Sequence, residues 1–168
     1  MGTIRRAESD DWSICRDIRL RALREEPQAY ESTFADEQRL GDHDWRTRIA
    51  RGSTFLALDH DQVNGMAVGI ALDDGDTMIV AMYVAPEARG RRIATRLIDE
   101  IAGEAVRRGS RRLVLDVADG NATALHCYLR YGFAPTGQRV PMGRDPSAFQ
   151  TRLAYPLPGT GAGVTGPD

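Results

Sequence analysis

A mixed α/β (α+β) domain around a central sheet is predicted by three observations. Hairpin-forming strands come early, between residues 55 and 84. A strand, a Gly/Arg-rich turn, a long helix and a further strand follow in one unit from 77 to 117. Strands also precede and follow the helices, with no internal repeat at a solenoid period. At 168 residues, 42% hydrophobic and 27% charged, the chain suits one globular domain over residues 1–157. Residues 158–168 are Gly/Pro/Thr-rich and read as a flexible tail.

Thr3 to Ala7 predicts a short first strand. Ser9, Asp10 and Asp11 then offer caps for a helix over about 11–24, where Trp12, Ile14, Cys15, Ile18, Ala22 and Leu23 recur at helical spacing until Pro27 stops it. Residues 28–50 suit one or two further helices with a mobile loop. Phe55–Leu58 and Met66–Leu72 read as a hairpin joined by a turn over 59–65 that contains Asn64-Gly65. After the turn Asp73-Asp74-Gly75-Asp76, the apolar run Thr77–Val84 is a strand ended by Pro86, completing three antiparallel strands in sequence.

From Arg92 to Arg108, the residues Ile93, Ala94, Leu97, Ile98, Ile101, Ala102 and Ala105 form one apolar stripe. Glu104 can pair with Arg108, and Gly109 stands where a helix C-cap belongs. Arg112–Val117 reads as a buried strand, Asn121–Tyr131 as a helix ended by Gly132, and Phe149–Leu157 as the last strand after a loop from Pro141 to Pro146.

Composition removes several functions. A net charge of −2 supplies no basic field for nucleic acid. Cys15 and Cys127 form neither a CxxC pair nor a His/Cys cluster, so neither a metal nor a disulfide framework is expected. The N-terminal residues Met-Gly-Thr-Ile-Arg-Arg run into polar sequence without an apolar signal core. No stretch approaches the roughly 20 apolar residues of a membrane span. A cytoplasmic protein is the expectation.

Chemistry concentrates in two segments. In Val84 to Ile98, a strand enters a turn containing Arg89, Gly90, Arg91 and Arg92 and then a helix, so unpaired amides and the helix dipole converge where an anion can sit. GxxxxGK[ST] and GxGxxG are absent, which points to a diphosphate other than that of a nucleoside triphosphate or dinucleotide. The second segment reads N-x-x-A-x-x-x-Y-x-x-x-G-F from Asn121 to Phe133, with Asn121 as helix cap and Ala124 and Tyr128 four apart on one face. Taken alone, Tyr128 reads as a core aromatic with its hydroxyl tied to backbone, and only the joint pattern of the two segments points to chemistry.

With V-x-P-x-x-R-G-x-x-I-A at Val84–Ala94 and the Asn121–Phe133 segment, the chain resembles the GNAT superfamily of acyl-CoA-dependent N-acyltransferases over most of residues 3–157. The resemblance implies a six- to seven-stranded mixed sheet, splayed in the middle, with helices on both faces. It places the coenzyme A pyrophosphate on Arg89, Gly90, Arg91, Ile93, Ala94 and Thr95, with Arg92 as either a crowding side chain or an added cation. The family pattern has Gly where this chain has Arg92. The resemblance also implies that the main chain of Met82 and Val84 pairs with the pantetheine arm, and that Asn121 and Tyr128 flank the thioester.

The implied reaction is transfer of an acetyl group from acetyl-CoA, a cosubstrate, to a primary amine of a small molecule or peptide by direct attack. Tyr128 would be the proton donor to the thiolate. The alternative is a catalytically inactive acyl-CoA-binding sensor or regulatory module. Candidate general bases are Asp116, Glu37 or a water relay, with His126 and His43 unassigned; Cys127 is read as packing. Glu25, Glu26, Asp36, Glu37, Asp42 and Asp44 make residues 25–45 acidic, which suits a cationic acceptor such as a polyamine, an aminoglycoside-like compound or a peptide N-terminus. No membrane partner is expected, and exposed strand edges are compatible with a homodimer.

Overall fold

The computed structural model describes residues 2–159. The seven strands, β1 (Thr3–Arg6), β2 (Ser53–Asp59), β3 (Gln62–Ala71), β4 (Thr77–Val84), β5 (Arg112–Ala118), β6 (Ala134–Met142) and β7 (Asp145–Pro156), form one sheet in the order β1-β2-β3-β4-β5-β7-β6. All neighbouring pairs are antiparallel except β4 and β5. The helices are α1 (Trp12–Glu25), α2 (Phe34–Glu37), α3 (Asp42–Arg51), α4 (Ile93–Arg107) and α5 (Ala122–Tyr131). They cover both faces of the sheet. Gly65 and Gly69 of β3 face Ile93 and Ile101 of α4, while the alternate residues Met66 and Val68 share a cleft with Cys15 and Arg19 of α1.

Of the predicted apolar stripe of α4, Ile93, Leu97, Ile98, Ile101 and Ala105 are buried, and Ala94 and Ala102 are half-buried. Leu97, Ile98 and Ile101 are at most 1% exposed, each contributing about 1.5–3 kcal/mol of transfer free energy. Glu104 and Arg108 pair at 2.8 Å, and Gly109 follows the helix with φ +79°. The long central helix is thereby held rigidly across β1–β4 with its N-terminus at the end of β4.

Three readings need correction. The hairpin turn is at His60-Asp61, between the paired Asp59 and Gln62, and Asn64-Gly65 lies inside β3. Gly65 is there for closeness: a Cβ would sit 2.9 Å from the Tyr83 carbonyl oxygen. Strand β6 was unforeseen, because Pro135 and Pro141 cannot donate to a ladder, which only an edge strand tolerates. The segment from Pro141 to Pro146 is accordingly a strand end and a tight turn into β7, which starts at Asp145. At α1, Asp11 makes no side-chain cap; its carboxylate accepts from the Glu8 N–H at 2.8 Å and from Arg5 at 2.7 Å. The predicted tail lies outside the described residues from 160 onward.

Candidate active site

Parallel pairing between β4 and β5 is confined to Thr77 with Leu113 and Met78 with Val114. Beyond Met78 the strands part, and a cleft of about 1800 Å³ opens between them. That exceeds the roughly 300–1,000 Å³ of a site for one drug-sized molecule, so two substrates can meet in it. At the point of parting, β4 is bulged: pairing with β3 slips between Met66 and Val68, and Ala81 takes φ +53°. A non-glycine residue in that region stores about 1–3 kcal/mol of strain, and it persists because pairing on both sides holds it.

At one end of the cleft, the turn before α4 is shaped by two left-handed residues, Gly90 at φ +80° and Arg92 at φ +59°. None of the main-chain N–H groups from Gly90 to Thr95 donates to an acceptor among the described residues. Nothing lies within 4 Å of where a Cβ on Gly90 would sit, so the turn faces open space. A row of unpaired amides on a 15-residue helix is an anion cradle, with the dipole adding about half a positive charge.

The three turn arginines part company. Arg89 pairs with Glu26 and donates from Nε to the Val84 carbonyl at 3.1 Å. Arg91 pairs with Asp59 at 3.2 Å. Arg92 is exposed, lines the cleft and has no ion-pair partner among the described residues. Arg92 occupies the left-handed position just before the helix, which explains the Gly of the family pattern: glycine adopts that φ freely, whereas an L side chain is strained there. Its guanidinium is the turn's free cation.

Met82 and Val84 border the same cleft. Their carbonyls already accept one hydrogen bond each, from the Tyr30 hydroxyl at 2.9 Å and from Arg89. A carbonyl keeps a second lone pair for a further donor.

Asn121 caps α5 as read, its side-chain oxygen accepting from the Ala124 N–H at 3.2 Å. That cap aims the helix so that Tyr128, two turns on, faces the cleft. Tyr128 is 8% exposed, packs edge-on to Phe133 at 5.9 Å, and its hydroxyl makes no side-chain hydrogen bond among the described residues. Burial, and the nearby Tyr30, push its pKa above the ordinary tyrosine value. The phenol is therefore a protonated, unengaged donor at the wall of the cleft. Cys127 also lines the cleft, and burial raises its thiol too, so it is not a thiolate nucleophile.

The candidate bases are differently placed from a solvated carboxylate. Asp116 receives both Arg152 Nε and Nη2 at 2.8 Å across the β5–β7 pair. Glu37, 3% exposed, accepts from Arg19 at 3.0 Å and Arg48 at 3.0 Å. Burial pushes the Glu37 carboxyl up, but the hydrogen bond and charge of Arg19, with Arg48, outweigh it and hold the group below the usual range. Both line the cleft and both are committed to arginines. His126 is exposed at the cleft wall, and His43 is exposed on α3.

The acidic run at 25–45 likewise dissolves into local contacts. Glu25 bonds Arg21 and Tyr83, Glu26 bonds Arg89, and Asp36 and Asp44 bond Thr33 and the Gly41 N–H. Sequence reasoning missed Tyr30, Arg19 and Trp45 as cleft residues; their signal, a cation or aromatic on a helix face or, for Tyr30, in the loop after α1, is indistinguishable from packing until the elements are placed. Among the described residues there is no group of three or more metal-ligating side chains, and no helix is long and apolar enough to cross a membrane.

Comparison with known proteins agrees with this architecture. An IAA acetyltransferase from Azospirillum brasilense is 34% identical over 111 residues, covering 66% of this chain and 69% of the relative. A GNAT-family acetyltransferase from Streptococcus pneumoniae has the same fold, with a TM-score of 0.79 at 18% identity over 94% of this chain and all of its own. A Salmonella typhimurium protein solved with its cofactor acetyl-CoA gives 0.76 at 20% identity over 100% of this chain and 98% of its own. Residues 15–133 match the acetyltransferase (GNAT) family, and the chain belongs to it as an acyltransferase.

Proposed function

We propose that the protein moves the acetyl group of acetyl-CoA to a primary amine by direct attack. The observation that carries this reading is that the unpaired amides at 90–95 and the free hydroxyl of Tyr128 line one continuous cleft beside the bulge of β4. The Salmonella typhimurium neighbour solved with acetyl-CoA supports the choice of donor.

Acetyl-CoA supplies an activated acyl carbon and a thiolate leaving group. The turn amides and Arg92 hold the diphosphate, with Gly90 giving the backbone its left-handed bend. Main-chain groups at Met82 and Val84 align the pantetheine arm, as an added strand would, and N–H near Met82 stabilises charge developing on the carbonyl oxygen. Tyr128 gives its proton to the departing sulfur as the C–S bond breaks and the C–N bond forms; its raised pKa keeps that proton available at neutral pH.

An amine of pKa about 10.4 is only about 0.04% neutral at pH 7, so its proton must leave before attack. With Asp116 and Glu37 each bound by arginine, a water relay in the cleft is the favoured route. Thiol release from acetyl-CoA measured across a panel of primary amines tests the proposal: amine-dependent release is expected, and none with any amine would reduce the protein to a coenzyme binder.

A further inference from the structure

Two buried hydrogen-bond donors at the far side of the cleft have no partner. Arg19 is 8% exposed and Trp45 is 3% exposed; both line the cleft. Arg19 Nη1 and Trp45 Nε1 are two of the three buried polar side-chain atoms without a hydrogen bond among the described residues. The third, on Asp76, belongs to a carboxylate already paired with Arg112 at 2.6 Å. Buried donors are almost always satisfied, because leaving one unpaired forfeits its solvation.

The two donors belong to one constructed cluster. Glu37 takes Arg19 by Nε at 3.2 Å and by Nη2 at 3.0 Å, which turns the remaining Nη1 away from the carboxylate. Glu37 also takes Arg48 at 3.0 Å, and the Arg48 guanidinium lies 5.0 Å over the Trp45 ring. Arg19 itself lies 4.6 Å over Tyr30, the residue that holds the Met82 carbonyl, so the cluster abuts the bulge.

Its charge is positive. Arg19 and Arg48 share the single carboxylate of Glu37, and Arg51, also on the cleft wall, has no ion pair among the described residues. Glu26, Asp116 and Asp119 on the wall are each neutralised by an arginine. Glu31, bonded to Gln150 at 2.6 Å, and Asp99, bonded by the Tyr131 hydroxyl at 2.8 Å, each supply one negative charge to the wall, while Arg92 and Arg130 line it with no ion pair among the described residues. A net cationic floor with two unmet N–H donors favours an anionic acceptor group and disfavours a polycation.

We infer that the acceptor end of the cleft recognises a carboxylate carried by the amine substrate, through Arg19 Nη1 and Trp45 Nε1. This rests on the proposed transfer to an amine and narrows the acceptor class to amino-acid-like molecules.

The test compares matched triplets of L-amino acid, its carboxamide and its decarboxylated amine, with thiol release from acetyl-CoA expressed per neutral amine. For the preferred side chain, kcat/KM of the acid should exceed both partners by about tenfold to a hundredfold, the worth of charge-assisted hydrogen bonds. Trp45→Phe, which keeps an aromatic ring and deletes Nε1, should shrink that preference about three- to tenfold. Turnover with equal or greater preference for carboxamides or decarboxylated amines would overturn the inference while leaving the transferase reading intact. If no amine releases thiol, the transferase reading fails instead. The carboxylate site is then decided by calorimetry on the coenzyme A-saturated protein: N-acetyl amino acids binding more tightly than their amides supports it, and no difference overturns it.

Discussion

The hydroxyl of Tyr30 donates a 2.9 Å hydrogen bond to the carbonyl of Met82, tying the segment after α1 to the bulged stretch of β4. Ala81, beside it, is held at φ +53°. One buried hydrogen bond contributes about 1 kcal/mol, so Tyr30→Phe should lower the melting temperature by about 2–4 °C. With the bulge less restrained, kcat should fall about three- to tenfold while the KM for acetyl-CoA stays within twofold. Unchanged kcat in steady-state assays would show that the bulge holds its shape without Tyr30.

Tyr128→Phe removes the free hydroxyl on the cleft wall and nothing else that bonds. Turnover should drop about 10²-fold with coenzyme affinity nearly intact, as expected for a lost proton donor. In the native protein, kcat/KM should rise about tenfold per pH unit below the acceptor's pKa. No decline from Tyr128 should appear up to pH 10, because its pKa is raised above the ordinary value. A falling limb below pH 9 that vanishes in Tyr128→Phe would show that the Tyr128 pKa is not raised, and unchanged turnover in the variant would remove Tyr128 from the proton-donor role.

Gly90→Glu sets a negative charge and a strained φ at the proposed diphosphate cradle, so calorimetry should detect no acetyl-CoA binding. Gly90→Asn separates the two effects, since Asn tolerates the left-handed region and carries no charge. It should retain binding weakened by tenfold or less. Equal loss in both variants would mean that backbone shape alone, without charge, decides affinity.

Arg92→Gly relieves an L residue at φ +59° but deletes the turn's unpaired cation. Thermal stability should hold or rise by up to about 1 kcal/mol, while the Kd for acetyl-CoA should rise about three- to tenfold. A tighter Kd in the variant would show that the side chain obstructs the cradle.

Glu37 is held ionised below its usual range by Arg19 and Arg48, so its folded pKa lies under its unfolded one. Its contribution to stability is then complete above the ordinary value of 4.5 and is lost as pH falls through the lower, folded value. Chemical denaturation of Glu37→Gln should show reduced stability at pH 7 and a shallower loss of stability below pH 4.5 than the native chain. An identical pH slope would place the acid sensitivity elsewhere.

Much of the chain was legible before any coordinates. The apolar stripe of α4, the cap at Asn121 and the strand–turn–helix around Gly90 depend on neighbours within one or two turns, and local spacing encodes such contacts. The Pro-bearing edge strand β6 and the Gly65 inside β3 were misread because their reasons are distant: a position at the sheet margin and the Tyr83 carbonyl. Only the tertiary structure decided which charges are spent. It paired Asp116 with Arg152 and Glu37 with two arginines, released Arg92, and left donors of Arg19 and Trp45 unmet at the cleft. A side chain's charge is written in its residue type, but whether that charge is neutralised depends on partners brought together by folding, here 36 residues apart in the Asp116–Arg152 pair and 63 in the Glu26–Arg89 pair.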